Sequence, residues 1–121
     1  MEKTVDQIAV GSGSPWGPIQ TVSTLIPGLV AVTTASHGGV HASAVLNERV
    51  PAQWRRDDGW YEEDCEWAII LWYCRQHLRQ QCRDECTLAV LRPREPGDSI
   101  AEATIKHYYP DIYASIMVTI P

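Results

Sequence analysis

The sequence predicts an α+β fold, in which an N-terminal β-hairpin or small antiparallel sheet packs on a central buried helix, with C-terminal helices closing the core. Three observations support this prediction: Val-, Ile- and Thr-rich segments flank Pro27-Gly28, an apolar run covers 67–74, and the segment 99–108 begins with a helix-capping pattern. At 121 residues and 45% hydrophobic composition, the chain has room for one core. We therefore expect a single α+β domain over 15–121.

The hairpin is the first predicted element. Ile19–Leu25 and Leu29–Thr34 have the composition of strands, and Pro27-Gly28 suits the centre of a type II turn. The segment 36–41 contains two adjacent glycines, which break regular structure, and is predicted to be a loop. A short helix is expected from Ser43 to Arg49.

The central helix is predicted from Tyr61 to about Gln81. Four acidic residues fall in its first six positions, and arginines fall toward its end, an order that complements the helix dipole. The run Trp67–Cys74 is apolar on all sides, as in a helix buried at the centre of a small domain.

Two elements are predicted in the C-terminal third. Thr87–Leu91 is short and aliphatic, and is predicted to be a strand that joins the hairpin. Ser99–Tyr108 is predicted to be a helix because Ser99 and Glu102 have capping-box spacing. Its predicted inward face consists of Ile100, Ala103, Thr104, His107 and Tyr108, and Pro110-Asp111 can start a last turn through Ile116.

The N-terminal segment, the length of the apolar runs and the net charge restrict the classes of function that we expect. The polar segment 1–14 ends in Gly-Ser-Gly-Ser and is predicted to be a flexible leader. It lacks the features of a signal peptide, and no apolar run reaches the length of a membrane span, so we expect a cytoplasmic protein without a membrane partner. The net charge of −5 argues against general DNA binding.

Residue usage leans toward recognition. Phe is absent, whereas there are five Trp and five Tyr, and only Lys3 and Lys106 among the ten basic residues are not arginine. Trp, Tyr and Arg are the usual anchors of protein interfaces, although a core built on Trp is the simpler explanation of the aromatic residues.

The cysteines raise the question of zinc. Cys74-x-x-His77 and Cys82-x-x-x-Cys86 offer four possible zinc ligands within 13 residues, but neither pair contains the Gly or Pro turn of a zinc knuckle. If the segment were one continuous helix, the four side chains could not meet at a single tetrahedral metal site. We expect reduced thiols, with Cys65 and Cys74 in the core, and no cofactor.

Two clusters are candidate sites. The segment 57–66 holds six acidic residues and no base, which suits either a solvated helix start or an anionic patch that docks on a basic surface. His37 and His41 flank Gly38-Gly39, and with Glu62, Glu63 and Asp64 they could form a metal-dependent enzyme site. A tight turn is the simpler interpretation of 36–41.

Four segments carry a resemblance to a known family: Trp16-Gly17-Pro18, Ala35–His41, Gly59–Ala68 and Tyr109–Tyr113. They resemble a family of uncharacterised bacterial proteins and domains common on proteobacterial plasmids, phages and other mobile elements. The resemblance covers roughly residues 15–115 and implies no activity; the stretch 74–96 departs from it. It implies a shared centre formed by Ser36, His37, Gly38, Gly39, Trp60, Tyr61, Glu62, Glu63, Asp64 and Trp67.

Together these features predict a non-enzymatic accessory protein of phage or plasmid type. We expect it to bind stoichiometrically to a host protein or ribonucleoprotein complex with a basic surface, in the manner of an anti-CRISPR inhibitor. The residues expected to bind are Asp57, Asp58, Trp60, Tyr61, Glu62, Glu63, Asp64, Glu66, His37, Gly38 and Gly39. The alternative is the metal-dependent enzyme using His37, His41, Glu62, Glu63 and Asp64.

Overall fold

A computed structural model describes residues 8–94 and 97–119. Within these residues the chain forms four strands and then, apart from one early helical turn, a set of helices, so the predicted α+β fold is confirmed. The strands are β1 Thr21–Ile26, β2 Leu29–Thr33, β3 Gly38–Ala42 and β4 Trp60–Glu62. The helices are α1 Ala44–Asn47, α2 Trp67–Tyr73, α3 Arg75–Gln81, α4 Glu85–Leu91, α5 Ile100–Tyr108 and α6 Pro110–Thr119.

The hairpin of β1 and β2 confirms the first prediction. The two strands pair antiparallel, with Val22 opposite Val32 and Ile26 opposite Leu29. Gly28 has a φ of 91°, which a residue with a side chain adopts only under strain, so the Pro-Gly pair sets the turn.

The predicted loop 36–41 is wrong, because Gly38–Ala42 is β3, an inner strand of the sheet. It pairs antiparallel with β2 on one side and with β4 on the other. The two glycines belong to this strand because neighbouring groups approach its backbone closely. A Cβ built at Gly38 would lie 2.7 Å from the carbonyl oxygen of Val32.

The predicted start of the central helix is also wrong. Trp60–Glu62 is the edge strand β4, with Tyr61 opposite Val40 and Trp60 opposite His41. A turn over 63–66 leads into α2, and the helical stretch is interrupted at Cys74, which has φ −102° and ψ 12°. The acidic run suited a helix N-terminus, but pairing with β3 and burial of the Tyr61 side chain outweigh that local preference.

The predicted strand at Thr87–Leu91 is a helix, α4. The Asp84 carboxylate accepts a hydrogen bond from the backbone N–H of Thr87 at 2.8 Å and caps the helix. A short aliphatic run fits a strand or a helix equally, and here the cap favours the helix.

The capping box of α5 is confirmed, but its predicted inward face is wrong. Ser99 Oγ accepts from the Glu102 N–H at 3.1 Å, and the Glu102 carboxylate accepts from the Ser99 N–H at 3.0 Å. The buried residues of α5 are Ala101 and Ile105, whereas Tyr108 is 57% exposed. Packing against α2, α4 and α6 selects the face with the aliphatic Ile105, and the predicted inward residues Ile100, Ala103, Thr104, His107 and Tyr108 are exposed or only partly buried. The last turn predicted from Pro110 extends into a full helix, α6.

The segment before β1 is bonded to the residues that lead into the sheet's first strand. The Gly11 N–H donates to the Ile19 carbonyl and the Ile19 N–H donates to the Ser12 carbonyl, both at 2.8 Å. Ser14 and Gly17 exchange backbone hydrogen bonds at 3.1 Å, and this turn presents Trp16. In the predicted leader, Ala9, Gly11, Ser12 and Ser14 thus form hydrogen bonds, whereas 1–7 lie outside the described residues.

The core lies between the sheet and the helices. Tyr61 is completely buried there, its hydroxyl donating to Asn47 Oδ1 and accepting from the Arg56 N–H at 3.2 Å. These two bonds tie the chain between α1 and β4 to the sheet. In the part of the chain that the structure describes, no helix has the length and apolar character needed to traverse a bilayer.

Candidate functional site

The outer face of β3 and β4 carries a wall of aromatic rings. Side chains of a strand alternate between faces, so Gly39, His41, Trp60 and Glu62 share the face opposite to Tyr61. Trp16 lies directly over Gly39: a Cβ there would be 2.8 Å from Cζ3 of the indole and closer still to its Cη2. The missing side chain at position 39 is what makes room for the ring.

The rings hold one another in place. Trp16 meets Trp60 edge to face, with centroids 5.5 Å apart and planes at 86°. The ring centroids of Trp60 and His41 lie 4.6 Å apart, so Trp60 contacts two rings. Burial lowers the pKa of His41, although a hydrogen bond to the backbone of Asp58 opposes that shift. The His41 ring is therefore stabilised in its neutral form.

A cleft of about 670 Å³ opens beside this wall. Its size lies within the range of ligand-binding pockets. Aromatic groups and charges of both signs form the lining, which consists of Pro15, Trp16, Arg55, Arg56, Asp57, Asp58, Trp60, Glu62 and Glu66.

The two arginines of the cleft have partners within the chain. Arg56 Nη2 forms an ion pair with Glu66 at 3.1 Å, and its Nη1 donates to the Trp54 carbonyl at 2.9 Å. Arg55 Nε donates to the Val50 carbonyl at 3.0 Å. Both guanidinium groups thus brace the loop that leads into β4.

The carboxylates differ in their surroundings. Asp58 Oδ1 accepts from the Trp60 N–H at 3.0 Å, and Glu62 Oε1 accepts from the Asp64 N–H at 3.1 Å. Burial raises the pKa of the Glu62 carboxyl above its ordinary value, and the bond from Asp64 only partly offsets this. A neighbouring positive charge would therefore favour the ionised form of Glu62.

The sequence-predicted binding residues fall into three groups. Five line the cleft: Asp57, Asp58, Trp60, Glu62 and Glu66. His37, Glu63 and Asp64 are exposed at the end of the β3–β4 pair beyond Glu62. Gly38, Gly39 and Tyr61 are buried, so they shape the site without offering an accessible side chain.

The two histidines of the alternative site are apart from each other. His37 Nδ1 lies 3.5 Å from Glu62 Oε2 and 3.8 Å from Glu63 Oε2, whereas His41 packs on Trp60. The two residues are four positions apart in the chain, which corresponds to roughly 13 Å at the rise of an extended strand. Among residues 8–94 and 97–119, no three His, Cys, Asp or Glu side chains are arranged to hold a metal ion.

The cysteines are dispersed over different environments. Cys74 and Cys82 are buried, Cys86 is exposed, and Cys65 Sγ lies 3.3 Å from the Tyr109 hydroxyl. Burial raises the pKa of the Cys74 thiol to about 11, so this sulfur is protonated at neutral pH and a poor metal ligand.

Sequence reasoning missed Trp16, Arg55 and Arg56 as site residues. Trp16 belongs to a segment that carries the family resemblance, but the resemblance does not show where this segment lies in the fold. Gly39 was a second signal, because a glycine inside a strand often marks a close approach by another group.

Fold and site together define a small α+β protein whose sheet carries an aromatic, acid-rimmed cleft on its outer face. Residues 9–120 match the family described as "Domain of unknown function (DUF7007)", and the chain belongs to that family. Neither the curated proteins nor the solved structures contain a significant match to the chain.

Proposed function

We propose that this chain is a cytoplasmic accessory protein of phage or plasmid type that acts by stoichiometric binding, without catalysis. Its partner is a host nucleic-acid-handling protein or ribonucleoprotein complex with a basic surface, which it blocks in the manner of an anti-CRISPR protein. Membership of a domain family of unknown function is compatible with this role and supplies no activity of its own.

The observation that carries the proposal is the unbalanced charge of the segment 57–66. Four of its acidic side chains are exposed and Glu62 is partly buried, and among the described residues no Arg or Lys forms an ion pair with any of these five. The sixth, Glu66, is paired with Arg56. An anionic surface of this kind speeds encounter with a basic partner, and its exposed carboxylates can pair with the positive charges of that partner.

Co-purification with candidate effector complexes tests the proposal directly. The triple variant Glu62→Lys, Glu63→Lys, Asp64→Lys is expected to lower the association rate at low salt by about tenfold or more. The matched control reverses three other exposed acids, Glu48, Glu85 and Asp111, and should bind far closer to the unaltered protein. Circular dichroism checks that both variants fold. Unchanged binding by the folded Glu62, Glu63, Asp64 variant would exclude the acidic-surface mechanism.

A second candidate function rests on His37, whose ring lies close to two carboxylates, Glu62 and Glu63. An imidazole beside two acids is a starting point for acid–base or metal chemistry. Elemental analysis of protein purified without a histidine tag distinguishes the candidates. Stoichiometric metal that His37→Ala removes would favour the enzyme; no metal and full activity in that variant would end this alternative.

A further inference from the structure

We propose that the cleft lined by Trp16 and Trp60 receives an arginine side chain of the partner protein. The inference rests on the proposed function, and it names the group that the site would recognise. It follows from three features of the cleft: a rigid aromatic wall, carboxylates without an Arg or Lys ion-pair partner, and a volume larger than one side chain.

The aromatic wall offers a surface on which a flat cation can stack. Guanidinium groups bind the faces of indole rings through cation–π attraction, which strengthens as water is excluded. The same protein already contains such a contact, since the Arg75 guanidinium lies 3.9 Å from the centre of the Trp72 ring. Trp60 lines the cleft, and its contacts with Trp16 and His41 restrict the movement of its ring.

The cleft carries more negative than positive charge. Four carboxylates and two guanidinium groups line it, a formal balance of −2. Arg56 is committed to Glu66, and Arg55 donates to the backbone carbonyls of Val50 and Glu48. Asp57, Asp58 and Glu62 therefore remain for a guest cation, and a guanidinium can bond two carboxylate oxygens at once.

The same charges argue against a nucleic acid as the guest. A base could stack on Trp60, but its phosphates would face the carboxylates of Asp57, Asp58 and Glu62. The volume of about 670 Å³ has room for an arginine side chain together with neighbouring backbone of the partner.

The probe is an acetylated and amidated Gly-Gly-Arg-Gly-Gly peptide, titrated against the full chain at constant ionic strength. Its counterpart carries citrulline, which keeps the planar shape and loses the charge, and a third peptide carries lysine. Nuclear magnetic resonance follows the indole N–H signals, assigned by Trp→Phe variants. The arginine peptide should shift the Trp16 and Trp60 signals saturably, and the other two should bind more weakly. Equal binding by the citrulline or lysine peptide, or no shift with arginine, would overturn the inference.

Two variants, each of which replaces an aspartate with the uncharged asparagine, locate the contact. Asp57 is exposed, and Asp57→Asn should weaken the arginine peptide by about two- to fivefold, the range of a partly exposed ion pair. Asp111→Asn makes the same chemical change on α6, outside the cleft, and should leave the affinity unchanged. Equal affinities of the two variants would contradict an arginine seated beside Asp57.

The outcomes separate this inference from the proposed function. If the effector complex binds and the binding depends on Glu62, Glu63 and Asp64, while the arginine peptide does not bind, only the arginine site is wrong. If the peptide binds at Trp16 and Trp60 while no effector complex is captured, the arginine site stands and the proposed target is wrong.

Discussion

At the scale of single residues, Gly39 determines whether the site exists. It is an inner-strand residue whose missing side chain leaves space for the Trp16 ring, and it also lies close to the Tyr61 carbonyl. Two adjacent glycines favour a loop when only the sequence is considered. The ring that packs on Gly39 comes from the segment before β1, and the sequence of 36–41 does not identify which residue approaches it.

Replacing Gly39 with alanine is expected to destabilise the protein by about 1–3 kcal/mol, the usual cost of overpacking. The added methyl group must displace Trp16 or push β3 away from β4. Urea unfolding measures the free energy, and tryptophan fluorescence reports the displaced indole. Gly13→Ala is the matched control, because no atom lies within 4 Å of a Cβ at that position. If the two variants were equally stable, the ring would not be held against β3.

At the scale of elements, the correct predictions came from pairs of residues with a defined spacing in the sequence. Pro27-Gly28 predicts its turn, and Ser99 with Glu102 predicts the start of α5, because each pattern is complete within a few residues. The acids before Trp67 fit a helix start by charge, yet Trp60–Glu62 is a strand. Its pairing with β3 is a non-local contact, which composition does not encode.

The capping box makes a prediction about α5. Ser99→Ala removes the acceptor of the Glu102 N–H bond at a completely buried position, and should lower the free energy of unfolding by about 1 kcal/mol. Denaturant titration gives the value. Ser36→Ala, at an exposed position, should change it by no more than a few tenths of a kcal/mol. A Ser99→Ala variant as stable as Ser36→Ala would mean that α5 depends on packing alone.

At the scale of the whole molecule, the sequence predicted the fold class and one side of the candidate site. Charge counting identified the acids of 57–66, because six of ten positions carry the same sign. The position of Trp16 in the aromatic wall depends on how the segment before β1 folds back on β3. That arrangement is set by tertiary packing, which no pattern in the sequence encodes.

Stability should depend on pH through His41. Its pKa is lower in the folded protein than the ordinary value of 6.5, so the unfolded chain binds the proton more readily. The stability that the neutral ring provides is complete above that ordinary value and is lost as the pH falls through the folded one. His41→Gln should therefore lose less unfolding free energy than the unaltered protein between about pH 7.5 and about pH 5.5, measured by urea unfolding. Parallel curves for the two proteins would contradict this.

The T-shaped indole pair joins two stretches of chain that are far apart in sequence, one before the sheet and one at its last strand. The surface proposed to bind a partner therefore consists of residues that are distant in the sequence. A synthetic peptide copying 57–66 would carry the acids but lack the Trp16 ring, so it is expected to compete poorly with the intact protein. A mimic of the proposed surface would need the folded scaffold as well as the acidic stretch.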